Sequence, residues 1–108
     1  MDNFEASNKA DWIVQISGTD DGDDIDFTGA DITVAVKDSQ GCLKLEATVD
    51  NGKITLPSTT VVQVHFTPDD MAKLCPASYA IGGVYKLNNE TNQLFVGSFN
   101  VYDGIASI

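Results

Sequence analysis

The sequence predicts an all-β sandwich, and three observations support that prediction. Apolar and polar residues alternate with a period of two along several short segments, as they do in strands that bury one face. Residues that favour turns separate those segments at short intervals. No segment has the periodicity of a helix of normal length. The chain therefore has the pattern of a small β domain.

The first part of the chain predicts two strands and two turns. Residues 12–17 alternate, so the side chains of one apolar face share a side of the strand. An acidic corner follows over residues 18–26, and Gly29 ends it just before a second alternating strand at residues 32–37. Residues 38–41 begin with Asp and end with Gly, which suits a type I turn.

The middle of the chain predicts three further strands. Residues 43–49 show the most regular alternation, and residues 50–52 (Asp-Asn-Gly) predict a tight hairpin to a returning strand at residues 53–56. Pro57 is expected to close that strand, because proline cannot donate a hydrogen bond to a sheet. Residues 61–66 form the next predicted strand.

A single short helical turn is predicted over residues 67–74. Thr67 is a suitable N-cap and Pro68 occupies the first helical position. Met71 and Leu74 are three residues apart, so we expect them to plug one end of the sandwich.

The last predicted element is a hairpin of residues 79–87 and 94–101, with a loop at residues 88–93 in which asparagine replaces the usual glycine. The total of about seven short strands predicts an antiparallel β-sandwich with one short helical turn, of the immunoglobulin-like or a related type.

Length and charge limit the domain organisation and the partners. The chain of 108 residues predicts a flexible N-terminal segment over residues 1–10 and a single β-sandwich domain over residues 11–108. Hydrophobic residues make up 43%, which predicts a folded core. The net charge of −10 disfavours phosphate backbones and anionic lipid, so we expect neither nucleic acid nor a membrane as a partner.

The N-terminal residues have no signal-peptide pattern, so we expect synthesis in the cytoplasm. Cys42 and Cys75 are then expected to be free thiols, and a disulfide between them would require an oxidising compartment.

The densest cluster of chemically active side chains is acidic. Calcium prefers several oxygen ligands on a loop with a sharp turn, and Gly22 could provide that turn. The spacing is not that of an EF-hand, and the alternative is a solvated corner that discourages edge-to-edge pairing of sheets. The candidate calcium ligands are Asp20, Asp21, Asp23, Asp24 and Asp26.

No group of residues predicts catalysis, and we expect no cofactor. His65 is the only histidine and lies on a predicted strand, where it is expected to be exposed or half-buried. The aromatic residues could form a sugar-binding platform, but their alternation predicts that most lie in the core and that Tyr102 is the most exposed. A ligand-binding module for calcium or carbohydrate is therefore the alternative to a structural role.

Three blocks of sequence carry a resemblance to a known family. They are residues 26–30 before an alternating strand, residues 66–74 at the helical turn, and residues 76–79 followed by residues 97–101. In this order they resemble the immunoglobulin-like β-sandwich domains of phage and prophage tail and baseplate proteins, such as the N-terminal domain of the baseplate upper protein family. The resemblance spans residues 11–105.

The resemblance implies a non-enzymatic structural component of a phage or prophage tail or baseplate, with no catalytic residues. Its partners would be other tail or virion structural proteins, and it would pass from the host cytoplasm into the virion. A small sandwich has strand edges that invite pairing with another chain. We therefore expect a homo-oligomer, formed through an outer strand or through the C-terminal residues 102–108. Residues 61–66, 84–87 and 95–101 have high β propensity and would invite such pairing if they lay at a sheet edge.

Overall fold

Strands account for most of the chain. The computed structural model describes residues 2–20 and 22–105. Within that part, the elements are β1 (Asp2–Ser7), β2 (Trp12–Ser17), β3 (Thr19–Asp20), β4 (Asp23–Asp24), β5 (Asp31–Lys37), β6 (Leu43–Thr48), β7 (Ile54–Ser58), β8 (Val61–Phe66), α1 (Pro68–Met71), β9 (Ala77–Leu87) and β10 (Glu90–Tyr102). All seven predicted strands are present, although several of their ends differ.

Two sheets face each other and confirm the predicted all-β sandwich. The large sheet has the order β1-β10-β9-β5-β6 and the small sheet has the order β2-β8-β7. A further pair, β3-β4, forms a short hairpin at one corner. The orders β2-β8-β7 and β5-β9-β10 correspond to strands B-E-D and C-F-G of an immunoglobulin-like sandwich.

The core lies between the inward faces of the two sheets. Alternate residues of each central strand are buried, as the sequence pattern predicts. Phe27, Phe66 and Phe99 are fully buried. Trp12 lies against two of these rings, with its centroid 4.8 Å from that of Phe99 and 6.0 Å from that of Phe66. Aromatic packing therefore contributes much of the contact between the sheets.

The short helix α1 closes one end of the sandwich, as predicted. Thr67 is the N-cap, Pro68 occupies the first turn, and the side chain of Asp70 completes a capping box. Met71, the last residue of α1, and Leu74, three residues later, are both fully buried. In the described part of the chain, no helix is long and apolar enough to cross a membrane.

The N-terminus differs from the prediction. Residues 1–10 were expected to be a flexible segment, but Asp2–Ser7 forms β1 and pairs in parallel with β10. Two of its residues account for this placement. Ala6 is buried, and the ring of Phe4 lies 5.6 Å from Trp12 and 5.8 Å from Phe95. Pairing with the neighbouring strand therefore overrides a weak local pattern.

The predicted hairpin at residues 50–52 is wrong, because β6 belongs to the large sheet and β7 to the small sheet. Side-chain hydrogen bonds end the β6 ladder here. The backbone N–H of Thr48 donates to Asn51 Oδ1 at 3.0 Å, and the backbone N–H of Asn51 donates to Thr48 Oγ1 at 3.0 Å. The chain then passes from one sheet to the other.

Two smaller differences lie at strand ends. Pro57 was expected to close its strand, but it lies inside β7, where the pairing with β8 is interrupted between Thr55 and Ser58. The predicted loop at residues 88–93 is a two-residue turn, since Asn88 and Asn89 both have positive φ, at 54° and 65°. That backbone suits a tight hairpin turn and lets β10 begin at Glu90.

Candidate functional site

The central strand of the large sheet, β9, is apolar on both of its faces over residues 80–84. Its inward residues fill the core, whereas Ala80, Gly82 and Val84 point to the opposite face. A strand with one solvated face normally alternates apolar and polar residues, and an apolar pattern on both faces is typical of a strand covered on both sides. Within residues 2–20 and 22–105, only the inward face is covered.

The neighbouring strands extend this apolar surface. Gly82 lies in register between Ala35 of β5 and Val96 of β10, and Val84 lies between Thr33 and Gln93. Together these side chains line a shallow depression of about 310 Å³. We call this surface, formed by the outward residues of the five large-sheet strands, the outer face. Its centre is apolar and Val96 is 45% exposed.

Two adjacent glycines distinguish the two faces of β9. A Cβ atom on Gly83 would lie 2.6 Å from the ring of Phe95, so the packed core requires glycine there. A Cβ atom on Gly82 would have its nearest contacts at 3.7 Å, an ordinary van der Waals distance. The fold therefore does not require glycine at position 82. A glycine within a strand weakens it and often marks a close approach by another chain.

The outer face carries little of the negative charge of the protein. In the described ranges, its charged side chains are Lys37, Lys44 and Lys86 against Glu5, Asp31 and Glu46, which balance, in a chain of net charge −10. Most of the negative charge therefore lies on other surfaces. A weakly charged apolar surface on a strongly acidic protein is suited to contact with another protein.

The outer face was missed by the reasoning from sequence. The signal that could have found it is the loss of alternation over residues 80–84, Ala-Ile-Gly-Gly-Val. The sequence predicted a strand there, but it did not show that the outward face of its central residues is left uncovered by the described part of the chain.

The predicted calcium site lies at the opposite end of the sandwich from α1's plug residues, at the β3-β4 hairpin. Gly22 has a φ of 86°, so it makes the sharp turn that was expected. Asp23, Asp24 and Asp26 line a cleft of about 500 Å³, and Glu90 of β10 lines its other side. Glu90 therefore lines the same cleft as the acidic corner, which the sequence did not predict.

The structure describes only part of this acidic set. Asp21 and the side chain of Asp20 lie outside the described residues. The carboxylate of Asp26 already accepts hydrogen bonds from the side chain and backbone of Thr28, and these hydrogen bonds lower the pKa of its carboxyl. In the described ranges, no three His, Cys, Asp or Glu side chains are grouped closely enough to hold a metal ion. Calcium binding stays a prediction.

The remaining candidate residues occupy ordinary structural positions. His65 is half-buried, as predicted, and its Nε2 lies 2.8 Å from Oδ1 of Asp11. Cys42 and Cys75 are exposed free thiols. Six of the eight candidate platform aromatics are buried, while Trp12 is half-buried and Tyr102 is 55% exposed. The prediction that the aromatic residues are mainly core is therefore confirmed.

Comparison with known proteins adds no relative to this picture: no protein-family model and no curated protein matches the chain. The function is therefore inferred from the surfaces of the protein itself. Of these, the outer face combines a loss of strand alternation with a small net charge.

Proposed function

We propose that this protein is a non-enzymatic structural module that acts through protein–protein contacts, and that the outer face is its binding surface. The observation that carries the proposal is the row of Ala35, Gly82 and Val96 across the centre of the large sheet. These small and apolar side chains leave a shallow surface that another protein can approach closely.

The distribution of charge supports the same surface. A partner that bound at the acidic corner would meet several carboxylates, and its affinity would depend on complementary basic residues. At the outer face, Lys37, Lys44 and Lys86 balance the three acidic residues. The depression there is apolar at its centre and polar at its margin, which is the general pattern of protein interfaces.

We further propose that the assembly is a phage or prophage tail or baseplate. The support for this step is the ordered resemblance of three sequence blocks, together with a β-sandwich of the expected class. Partners would then be other tail or virion proteins, and the protein would leave the host cytoplasm within the virion.

Two experiments test the proposal one after the other. The genomic neighbourhood tests the phage assignment, and co-expression with the product of a flanking gene tests the protein–protein contact. We expect the flanking genes to encode tail or capsid proteins, and we expect a product of one of them to co-elute with this protein in size-exclusion chromatography with light scattering. The variant Ala80→Glu introduces a charge on the floor of the outer face and should weaken that complex by about tenfold or more.

A matched variant separates the outer face from general effects of charge. Thr55→Glu introduces the same charge on the outward side of β7 in the small sheet, where it should leave the complex unchanged. Flanking genes that encode metabolic enzymes would contradict the phage assignment. Equal effects of Ala80→Glu and Thr55→Glu would contradict the role of the outer face.

A second candidate function is ligand binding at the acidic corner. The observation that favours it is the shared cleft of Asp23, Asp24 and Glu90, to which Asn88 and Asn92 add amide groups. Oxygen donors of this kind suit calcium, and polar groups around a cleft also suit carbohydrate. Calcium binding would raise the melting temperature, because a ligand that binds only the folded state stabilises it.

A further inference from the structure

The two sheets have four edge strands, and three of them carry features that discourage pairing with another chain. The edge strand β1 contains Glu5, and β6 contains Lys44 and Glu46. The edge strand β7 contains Pro57 and an interrupted register. Charges, proline and irregular pairing are the usual protections of a sheet edge.

The fourth edge, β2, has none of these protections. Trp12–Ser17 contains no charged residue and no proline, and it pairs with β8 in an uninterrupted register over all six residues. Within the described part of the chain, β8 is its sole strand partner. Its open side therefore presents a straight row of backbone donors and acceptors.

An apolar seam runs beside this open edge. The inward side chains of β2, namely Trp12, Val14 and Ile16, are only half-buried, whereas the facing residues of β8 are fully buried. Phe4 of the neighbouring edge strand β1 is also half-buried and contacts Trp12. The sandwich is therefore less completely covered here than at its centre, and one additional strand would cover the seam.

We propose that two copies of this protein pair through β2, antiparallel and about a twofold axis, to form one continuous sheet of six strands. In an antiparallel pair, residues directly opposite each other lie on the same face. A twofold pairing centred on Val14 places Trp12 opposite Ile16 of the second copy and Ile13 opposite Gln15 of the second copy. Apolar side chains then meet along both seams, and the interface is self-complementary.

Charge favours β2 over the acidic surfaces of the protein as the place where two copies meet. Two chains of net charge −10 repel each other, and β2 and β7 are the two edge strands that contain no acidic side chain. Of these two, only β2 has an uninterrupted register and no proline. A six-residue edge contact is smaller than the roughly 800 Å² per partner of a standard interface, so we expect a dissociation constant in the micromolar range or weaker.

This pairing is independent of the proposed function, because β2 belongs to the small sheet and the outer face to the large sheet. Sedimentation velocity over a concentration series up to about 1 mM tests it. We expect the wild type to shift from 11.5 kDa to twice that mass. Ile13 is 54% exposed, so Ile13→Lys should preserve the fold and weaken the dimer by about tenfold or more.

Leu43→Lys is the matched control. Leu43 is 52% exposed on the opposite edge strand β6, and its substitution changes the net charge by the same amount. It should leave dimerisation unchanged, as should Ala80→Glu on the outer face. A loss of dimer in Ala80→Glu with no effect of Ile13→Lys would contradict pairing through β2 and leave the outer face as the contact.

Hydrogen exchange of the wild type provides a measurement that needs no variant. Peptides that cover β2 should exchange more slowly at dimer-forming concentrations than in dilute protein, whereas peptides from β6 should not change. A monomer at every concentration, or a species larger than a dimer that grows without limit, would overturn the proposal. Equal weakening by Ile13→Lys and Leu43→Lys would also overturn it.

Discussion

The two ends of the sandwich both place acidic residues beside a turn, but they use them differently. At the helical end, Asp70 is 7% exposed and its carboxylate accepts hydrogen bonds from Lys53 and from the N-cap, Thr67. At the acidic corner, Asp23 and Asp24 are exposed on a two-strand hairpin. One end is closed by the protein itself, and the other opens into a cleft.

This difference shows that the contribution of a carboxylate to the stability of the fold depends on its surroundings rather than on the number of acidic residues nearby. A carboxylate that is buried beside fixed donors gains charge-assisted hydrogen bonds. The loss of one of these donors lowers the free energy of unfolding, because the buried charge is then left without a partner. Exposed carboxylates are screened by water and salt and add little to stability. The helical end should therefore respond strongly to substitution, and the corner weakly.

The largest expected effect is the loss of the apolar plug at the helical end. Met71 is fully buried, so Met71→Ala should lower the free energy of unfolding by about 3 kcal/mol. Ile25 is the corresponding apolar residue near the corner and is half-buried, so Ile25→Ala should cost about 1 kcal/mol. Urea denaturation measures both. Equal losses would show that the two ends are packed alike.

The second effect concerns the carboxylate of Asp70 and depends on pH. Burial raises the pKa of this carboxyl, but hydrogen bonds from Lys53 and Thr67 outweigh it, so the pKa lies below its ordinary value of 3.8. A lowered pKa contributes stability above pH 3.8, and that stability is lost as the pH falls through the folded-state pKa. Asp70→Asn should cost about 1–3 kcal/mol at pH near 7, and less below the ordinary pKa.

Asp69→Asn is the control for Asp70→Asn, since Asp69 lies in the same first turn of α1 but is exposed. Its substitution should cost less than about 1 kcal/mol, because an exposed charge near a helix N-terminus has a small effect. Unfolding free energies measured from neutral to acid pH compare the two. A constant difference between Asp70→Asn and the wild type down to the most acid pH would contradict the pKa argument.

The sequence predicted the strands that alternate, and it failed where the deciding contacts are distant in the chain. Residues 61–66 and the capped turn at Thr67 follow from local pattern. The strand β1 does not, because its placement depends on β10, which lies at the other end of the chain. Residues 50–52 carry the same turn chemistry whether the next strand stays in the sheet or leaves it.

The same limit applies to the surfaces proposed for binding. The apolar outward residues of β9 were visible in the sequence, but only the sheet order shows that nothing in the described chain covers them. Residues 61–66 were expected to invite pairing if they lay at a sheet edge, yet β8 is the centre of the small sheet. The open edge is β2, whose exposure follows from β1 pairing with β10 instead. Strand order is a property of the whole chain.

The smallest expected effect is at the acidic corner. The double substitution Asp23→Asn with Asp24→Asn should change the free energy of unfolding by no more than about 0.5 kcal/mol without calcium, because both side chains are exposed. Thermal unfolding with and without millimolar calcium decides the alternative function. A calcium-dependent rise in the melting temperature of the wild type that the double variant loses would establish a site there, since only a ligand bound to the folded state produces it. An unchanged melting temperature in both proteins would leave the corner as a solvated hairpin, in contrast to the closed end at Asp70.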